Sequence, residues 1–446
     1  MLRALKILHW CRWLLLLAAI GPNGWLVELS LLAPENLLRP GALLCLQSSG
    51  PEIAVETVSG PEWKRHTLDS TSQGADGVKL GDINRDGLMD IATGWEEGGE
   101  VRVYLNPGPP GARFPWPRVT VGKVRNPEDA IFADPDGDGQ LDVVSCTEGA
   151  TRTVFWHRFT GESEELLQSE RWTTQPFPAT AKKQMWMQAI SLDLDKQHTD
   201  EIVLSSKNED ATIGWLQAPK HSADLMAWQY FPLRTAGWIM SLISCDMDGN
   251  GDIDILYTDR KGPQSGVFWL ENPGPSANRQ HQNWTEHRIG GQGREVMFAD
   301  RADIDGDQLQ DVIVAIKPCE IIIFFRQQND GWQPQTLQLN PNNLGDAKAV
   351  KATDVNGDGL TDLFFTCENA HGPREGIIWL EQQQNGPWQQ HTLGGAEGVK
   401  FDLMQLVDMD NDGDPDVLTC EERDNLGVIW YENPYGNGRL NSLPRQ

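Results

Sequence analysis

Short β-branched and aromatic runs recur along the chain from about residue 62 to residue 435, each bounded by Gly, Pro, Asn or Asp. The segments 142–145 and 254–257 are typical: four residues, mostly apolar, opening on an Asp. Such runs suit strands covered on both faces. No stretch beyond the first fifty residues keeps a helical period. Between the runs, an acidic nonapeptide begins at Asp82, Asp134, Asp193, Asp246, Asp303, Asp354 and Asp408. A repeat of 51–59 residues is too long for one helix pair and fits a four-stranded unit.

Two aromatic positions keep step with the acidic loops. One opens a segment about twenty residues before each loop: Trp63, Trp172, Trp228, Trp284, Trp332 and Trp388, with Phe114 and Trp116 standing in for it in the second repeat. The other lies in a strand-like run after the loop, as at Trp269 and Trp430. This stripe reads as packing between units. Each unit becomes an inner strand, the acidic loop, a second strand, an aromatic third strand and an outer strand opened by Trp. The ends of the chain do not match: the last unit lacks an outer strand, and the N-terminus has one to spare near 63–68. Pairing the two closes a ring and removes the open edges. The expected fold is therefore all-β, a seven-bladed β-propeller of four-stranded blades closed by the N-terminal strand.

The loops follow D-x-[DN]-x-[DN]-G-x-x-D. Oxygens at positions one, three and five converge when the chain curls, position seven offers a backbone carbonyl, and position nine a carboxylate. Hard oxygens on a flexible loop suit Ca²⁺, and Gly at position six permits the positive φ of the turn. A single such loop could be an Asp-Gly turn alone. Seven at a fixed period point to metal. An EF-hand would need Glu at position twelve and flanking helices. The expected ligands are Asp82, Asn84, Asp86 and Asp90; Asp134, Asp136, Asp138 and Asp142; Asp246, Asp248, Asn250 and Asp254; Asp303, Asp305, Asp307 and Asp311; Asp354, Asn356, Asp358 and Asp362; and Asp408, Asp410, Asp412 and Asp416. Gln308 replaces the Gly of the fifth loop and should strain its turn. The third loop, 193–201, carries Gln197 and His198 at positions five and six and is expected to bind weakly or not at all. About six calcium sites result.

The formal net charge of -27 argues against a nucleic-acid partner and fits hard cations or a solvated surface. Seven Cys without a C-x-x-C exclude zinc ribbons and thioredoxin-type redox, and their placement at strand ends suits small buried residues. Residues 1–24 combine a basic start with a short apolar core and read as a signal peptide, which a second apolar patch extends to about residue 50. Residues 51–61 read as a linker, 62–435 as the propeller and 436–446 as a tail. An exported protein without a membrane span in the propeller, periplasmic, cell-surface or extracellular and monomeric, is the expectation.

The motif in this register resembles FG-GAP/VCBS-type repeats, the calcium-binding propeller repeats of integrin α-subunits and of many secreted bacterial proteins. The resemblance covers roughly 62–435 and implies the fold, the ligand roles of the loop positions, and calcium loops gathered on one face. It does not supply a ligand. Some related propellers are polysaccharide lyases.

The opposite face would gather Trp95, Glu96, Glu148, Lys207, Arg260, Lys317, Glu320, Glu368 and Glu421 from loops after second strands. Asp129, Lys183, Trp186, Trp238 and Arg294 would come from the entries to inner strands. Acids, a few bases and exposed Trp suit a polar partner such as a glycan or a protein. No familiar catalytic motif is present. The first expectation is a non-catalytic binding or adhesion module. A carbohydrate-active enzyme such as a lyase, using Lys183 or Lys207 with Arg260 or Arg294, is the alternative, and a purely structural scaffold the third.

Overall fold

The computed structural model describes residues 51–194, 196, 199–278 and 284–435. Residues 1–50, read above as a leader, and the tail 436–446 lie outside them, as do Gln197 and His198. Within the described residues the chain forms seven antiparallel four-stranded blades. The innermost strand of each blade touches that of the next, and the seventh touches the first, so the blades close into a ring. The first blade is Ala75–Gly81, Asp90–Trp95, Glu100–Tyr104 and Arg118–Gly122, and the pattern repeats to the seventh.

The seventh blade takes three strands from the C-terminal end, Gln405–Val407, Asp416–Glu421 and Gly427–Glu432. Its outer strand is Lys64–Asp69 from the N-terminal end, paired antiparallel to Gly427–Glu432. This is the closure expected near 63–68. The stretch 51–61, read as a linker, is structured. Glu52–Ile53 adds a fifth strand, parallel, to the fifth blade, and Val55–Thr57 does the same on the sixth. The segment binds the outer edges of the fifth and sixth blades before the chain closes the seventh, satisfying edge amides that would otherwise face solvent. Sequence reading missed these strands because two or three residues are too few to show a period.

The aromatic stripe is core. Trp156, Trp215, Trp379 and Trp430 of the third strands are at most 1% exposed. His66, His287 and His391 stack on Trp430, Trp269 and Trp379 and reach Glu432, Glu271 and Glu381 at 2.7–2.8 Å. The five described Cys are free and buried. Among the described residues no helix is long and apolar enough to cross a membrane.

Candidate functional site

Every innermost strand runs the same way, so all first-to-second turns share one face and all second-to-third turns share the other. The acidic loops are those first-to-second turns. Six of them have one internal wiring. The position-one carboxylate receives the backbone N–H of position six: Gly87 to Asp82, Gly139 to Asp134, Gly251 to Asp246, Gln308 to Asp303, Gly359 to Asp354 and Gly413 to Asp408, at 2.8–3.0 Å. Position five then receives position seven, as in Leu88 to Asp86 and Leu309 to Asp307. Position six has φ of +86° at Gly87 and +73° at Gln308, so the fifth loop does hold a non-glycine residue in the left-handed region.

Position nine is buried scaffold. Asp254 is 0% exposed, and its two oxygens accept the N–H of Met247, inside the loop, and of Asn272, at the end of the third strand, each at 2.8 Å. Asp90, Asp311, Asp362 and Asp416 repeat this pair of bonds. In the second loop Pro135 has no N–H to give, and the indole of Trp156 donates to Asp142 instead, at 2.7 Å. Burial pushes these carboxyls up, to about 6 for Asp90 and Asp311 and to about 8 for Asp142, Asp362 and Asp416, with backbone donors opposing the shift. The third loop keeps only part of this plan: Glu201 accepts Leu194 N–H at 2.9 Å, and Lys196 turns out to Asp252 at 3.1 Å.

The donor set fits a hard cation. In the second loop one oxygen from each of Asp134, Asp136 and Asp138 lies within 4.8 Å of the others, and in the fourth loop the same holds for Asp246, Asp248 and Asp254. Asp134 Oδ1 and Asp410 Oδ1 are buried with no hydrogen-bond partner. Two arginines stand over third-position carboxylates: Arg158 on Asp136 at 2.5 Å, and Arg113, from the first blade, on Asp410. Arg113 also binds Glu432, which accepts from His66 of the closing strand. Its hydrogen bond holds the Glu432 carboxyl down at about 2, against the opposing effect of burial. Sequence reasoning missed both arginines because neither position carries a motif: Arg158 lies in the third strand of the second blade and Arg113 in the loop before the outer strand of the first; Arg113 also lies some 300 residues from its partner.

The opposite face differs from expectation in its tryptophans. Trp95 and Trp186 are not exposed. Both are 0% exposed, with their indoles donating to Tyr104 and to the Thr180 carbonyl. Trp238 remains, with the cations of Lys207, Arg260 and Lys261 at 4.4–4.7 Å from its ring. Asp129 and Glu421 are also buried scaffold. Asp129 accepts Ala189 N–H from the next blade at 2.9 Å, and Glu421 accepts five backbone amides, including those of Val399 and Leu426. The bases are paired: Lys207 with Glu148 and with Glu128 (3.5 Å), Arg260 with Glu295 (2.6 Å), Arg294 with Glu320, Lys317 with Glu368. Burial and the charge of Glu148 are among the effects that raise Glu96. Lys183 is exposed.

The same mouth holds a buried ion network that the sequence did not reveal. Lys348 lies 2.8 Å from Asp402, and Lys400 binds Glu422. Burial, then Asp402, pushes the Asp76 carboxyl well up; burial opposes ionisation of Asp402 too, but Lys348 and Lys400 hold it below the usual range. Next to this network a pocket of about 450 Å³ opens between the sixth and seventh blades, lined by Glu368, Asn369, His371, Val399, Lys400, Arg423 and Asp424.

Comparison with known proteins finds FG-GAP-like repeats in this chain. An FG-GAP-like repeat model matches residues 82–145, 303–365 and 354–419. No curated protein matches the chain by sequence. Among solved structures, the chain is similar to the crystal structure of BBS1N in complex with ARL6DN, soaked with lead: 10% identity, 83% of this chain, 97% of that chain and a TM-score of 0.47. With FG-GAP-like repeats matched over three stretches and seven blades closed in a ring, the chain is a seven-bladed β-propeller that carries FG-GAP-like repeats.

Proposed function

We propose that the protein is an exported calcium-binding propeller that acts as a non-catalytic binding module, taking a glycan or protein on the face opposite the acidic loops. The observation that carries the calcium reading is the repeated wiring of six loops, in which position-one carboxylates are already turned inward by backbone amides. Residues at positions one, three, five and nine would hold the ion, and its charge would neutralise carboxylates that burial otherwise penalises. Millimolar calcium outside cells fits an exported chain. The partner side is supported by the pocket between the sixth and seventh blades, where His371, Arg423 and Asn369 surround a polar opening. The ion pairs of Lys207, Arg260 and Arg294 leave no specific observation in favour of a lyase.

The test is thermal unfolding with calcium and with excess chelator. Each site at a hundredfold its dissociation constant adds about 2.7 kcal/mol, so a large fall in Tm is expected on chelation. An unchanged Tm removes the calcium reading. A glycan array run with calcium then separates a sugar partner from a protein partner.

A further inference from the structure

The seventh loop differs from the others at position seven. There the pattern calls only for a backbone carbonyl, and the residues are Leu88, Gln140, Leu309 and Leu360 in four loops but acidic in two, Asp252 and Asp414. The two acids behave differently. Asp252 points out of the fourth loop to Lys196, 3.1 Å away, with its side chain 26% exposed. Asp414 is 8% exposed, and neither of its oxygens has a hydrogen-bond partner. Its electrostatic neighbours are the carboxylates of Asp412, Asp410 and Asp408, so it faces into the loop. Asp410 Oδ1 in the same loop is also buried and unpartnered. A buried carboxylate without donors, set among three others, is costly unless a cation is shared among them.

We propose that Asp414 is a side-chain ligand of a hard divalent cation in the seventh loop, a role its position does not have in the other loops. Site seven is then a centre of five carboxylates, Asp408, Asp410, Asp412, Asp414 and Asp416, with Arg113 as its fixed counter-charge. Because Arg113 also holds Glu432, and Glu432 holds His66, occupancy of this site is coupled to closure of the ring. The inference rests on the calcium reading of the loops.

The test compares full-length Asp414→Asn and Asp252→Asn with wild type, by calorimetric titration with calcium chloride and by melting in excess chelator. In Asp414→Asn one binding step should weaken roughly tenfold or more, since carboxylate count tunes calcium affinity, while the remaining steps keep wild-type constants. In chelator the same variant should melt at or above wild type, because it removes a buried charge without partners. Asp252→Asn should match wild type in both. Wild-type constants throughout in Asp414→Asn, or an equal loss in Asp252→Asn, overturn the assignment. So does an Asp414→Asn protein that fails to fold without metal, since the carboxylate would then belong to the scaffold. Wild-type protein that takes up no calcium overturns the calcium reading itself.

Discussion

Asp254 anchors its loop to the blade and is also a proposed ligand, and replacing it with alanine beside a replacement of Asp248 separates the two roles within one loop. The carboxylate is fully buried, and two backbone amides, Met247 and Asn272, depend on it at 2.8 Å. Alanine leaves both donors buried without acceptors, at about 1–3 kcal/mol each. It also removes a carboxyl that burial disfavours in its charged form, which offsets part of the loss. The expected net cost is about 2–4 kcal/mol, or about 2.5–5 °C in Tm for a domain of this size, and it should persist in excess chelator because the bonds do not involve metal. Asp248 in the same loop is exposed and accepts only from Asn250. Asp248→Ala should therefore cost at most about 0.5 kcal/mol in chelator, yet lose most of one site's contribution, about 2.7 kcal/mol at a hundredfold excess of calcium over its dissociation constant. Urea unfolding of both variants, with calcium and with chelator, gives the four values needed. If Asp254→Ala keeps the wild-type midpoint in chelator, the double anchoring of position nine is not what holds the loop to the blade.

Two further outcomes follow from the same geometry. Gly427 has φ of +77°, and a Cβ there would lie 2.0 Å from the Asp69 carbonyl oxygen, so Gly427→Ala should push the closing strand off the seventh blade at a cost of about 2 kcal/mol or more; limited proteolysis should then cut before residue 75, and wild-type resistance would refute this. The raised pKa values of Asp142, Asp362 and Asp416 mean that the folded, metal-free chain holds more protons than the unfolded chain between about pH 4 and 8. Metal-free stability should therefore fall as pH rises through that window and calcium should increasingly restore it; a metal-free Tm that climbs from pH 5 to 8 contradicts the sign.

The repeat count, the strand order within each blade and the ring closure were legible in the sequence because each is a period or a mismatch of periods. A recurring acidic loop marks the same turn seven times, and an unpaired Trp63 segment has one open edge to fill. Spacing along one short curled segment also limits which loop oxygens can converge, and in the second and fourth loops three carboxylates come together. Only the tertiary structure decided what neighbouring blades do to one another. It buried Trp95 and Trp186 in the core and left Trp238 at the mouth. It tied Lys207, Arg260 and Arg294 to glutamates and set Arg113 on a loop nearly 300 residues away. It also turned Asp414 inward while Asp252, at the same loop position, turned out. The reason is physical: local spacing determines which groups share a turn, but exposure and charge pairing depend on which strand packs alongside, and in a ring those partners come from the next blade or from the far end of the chain.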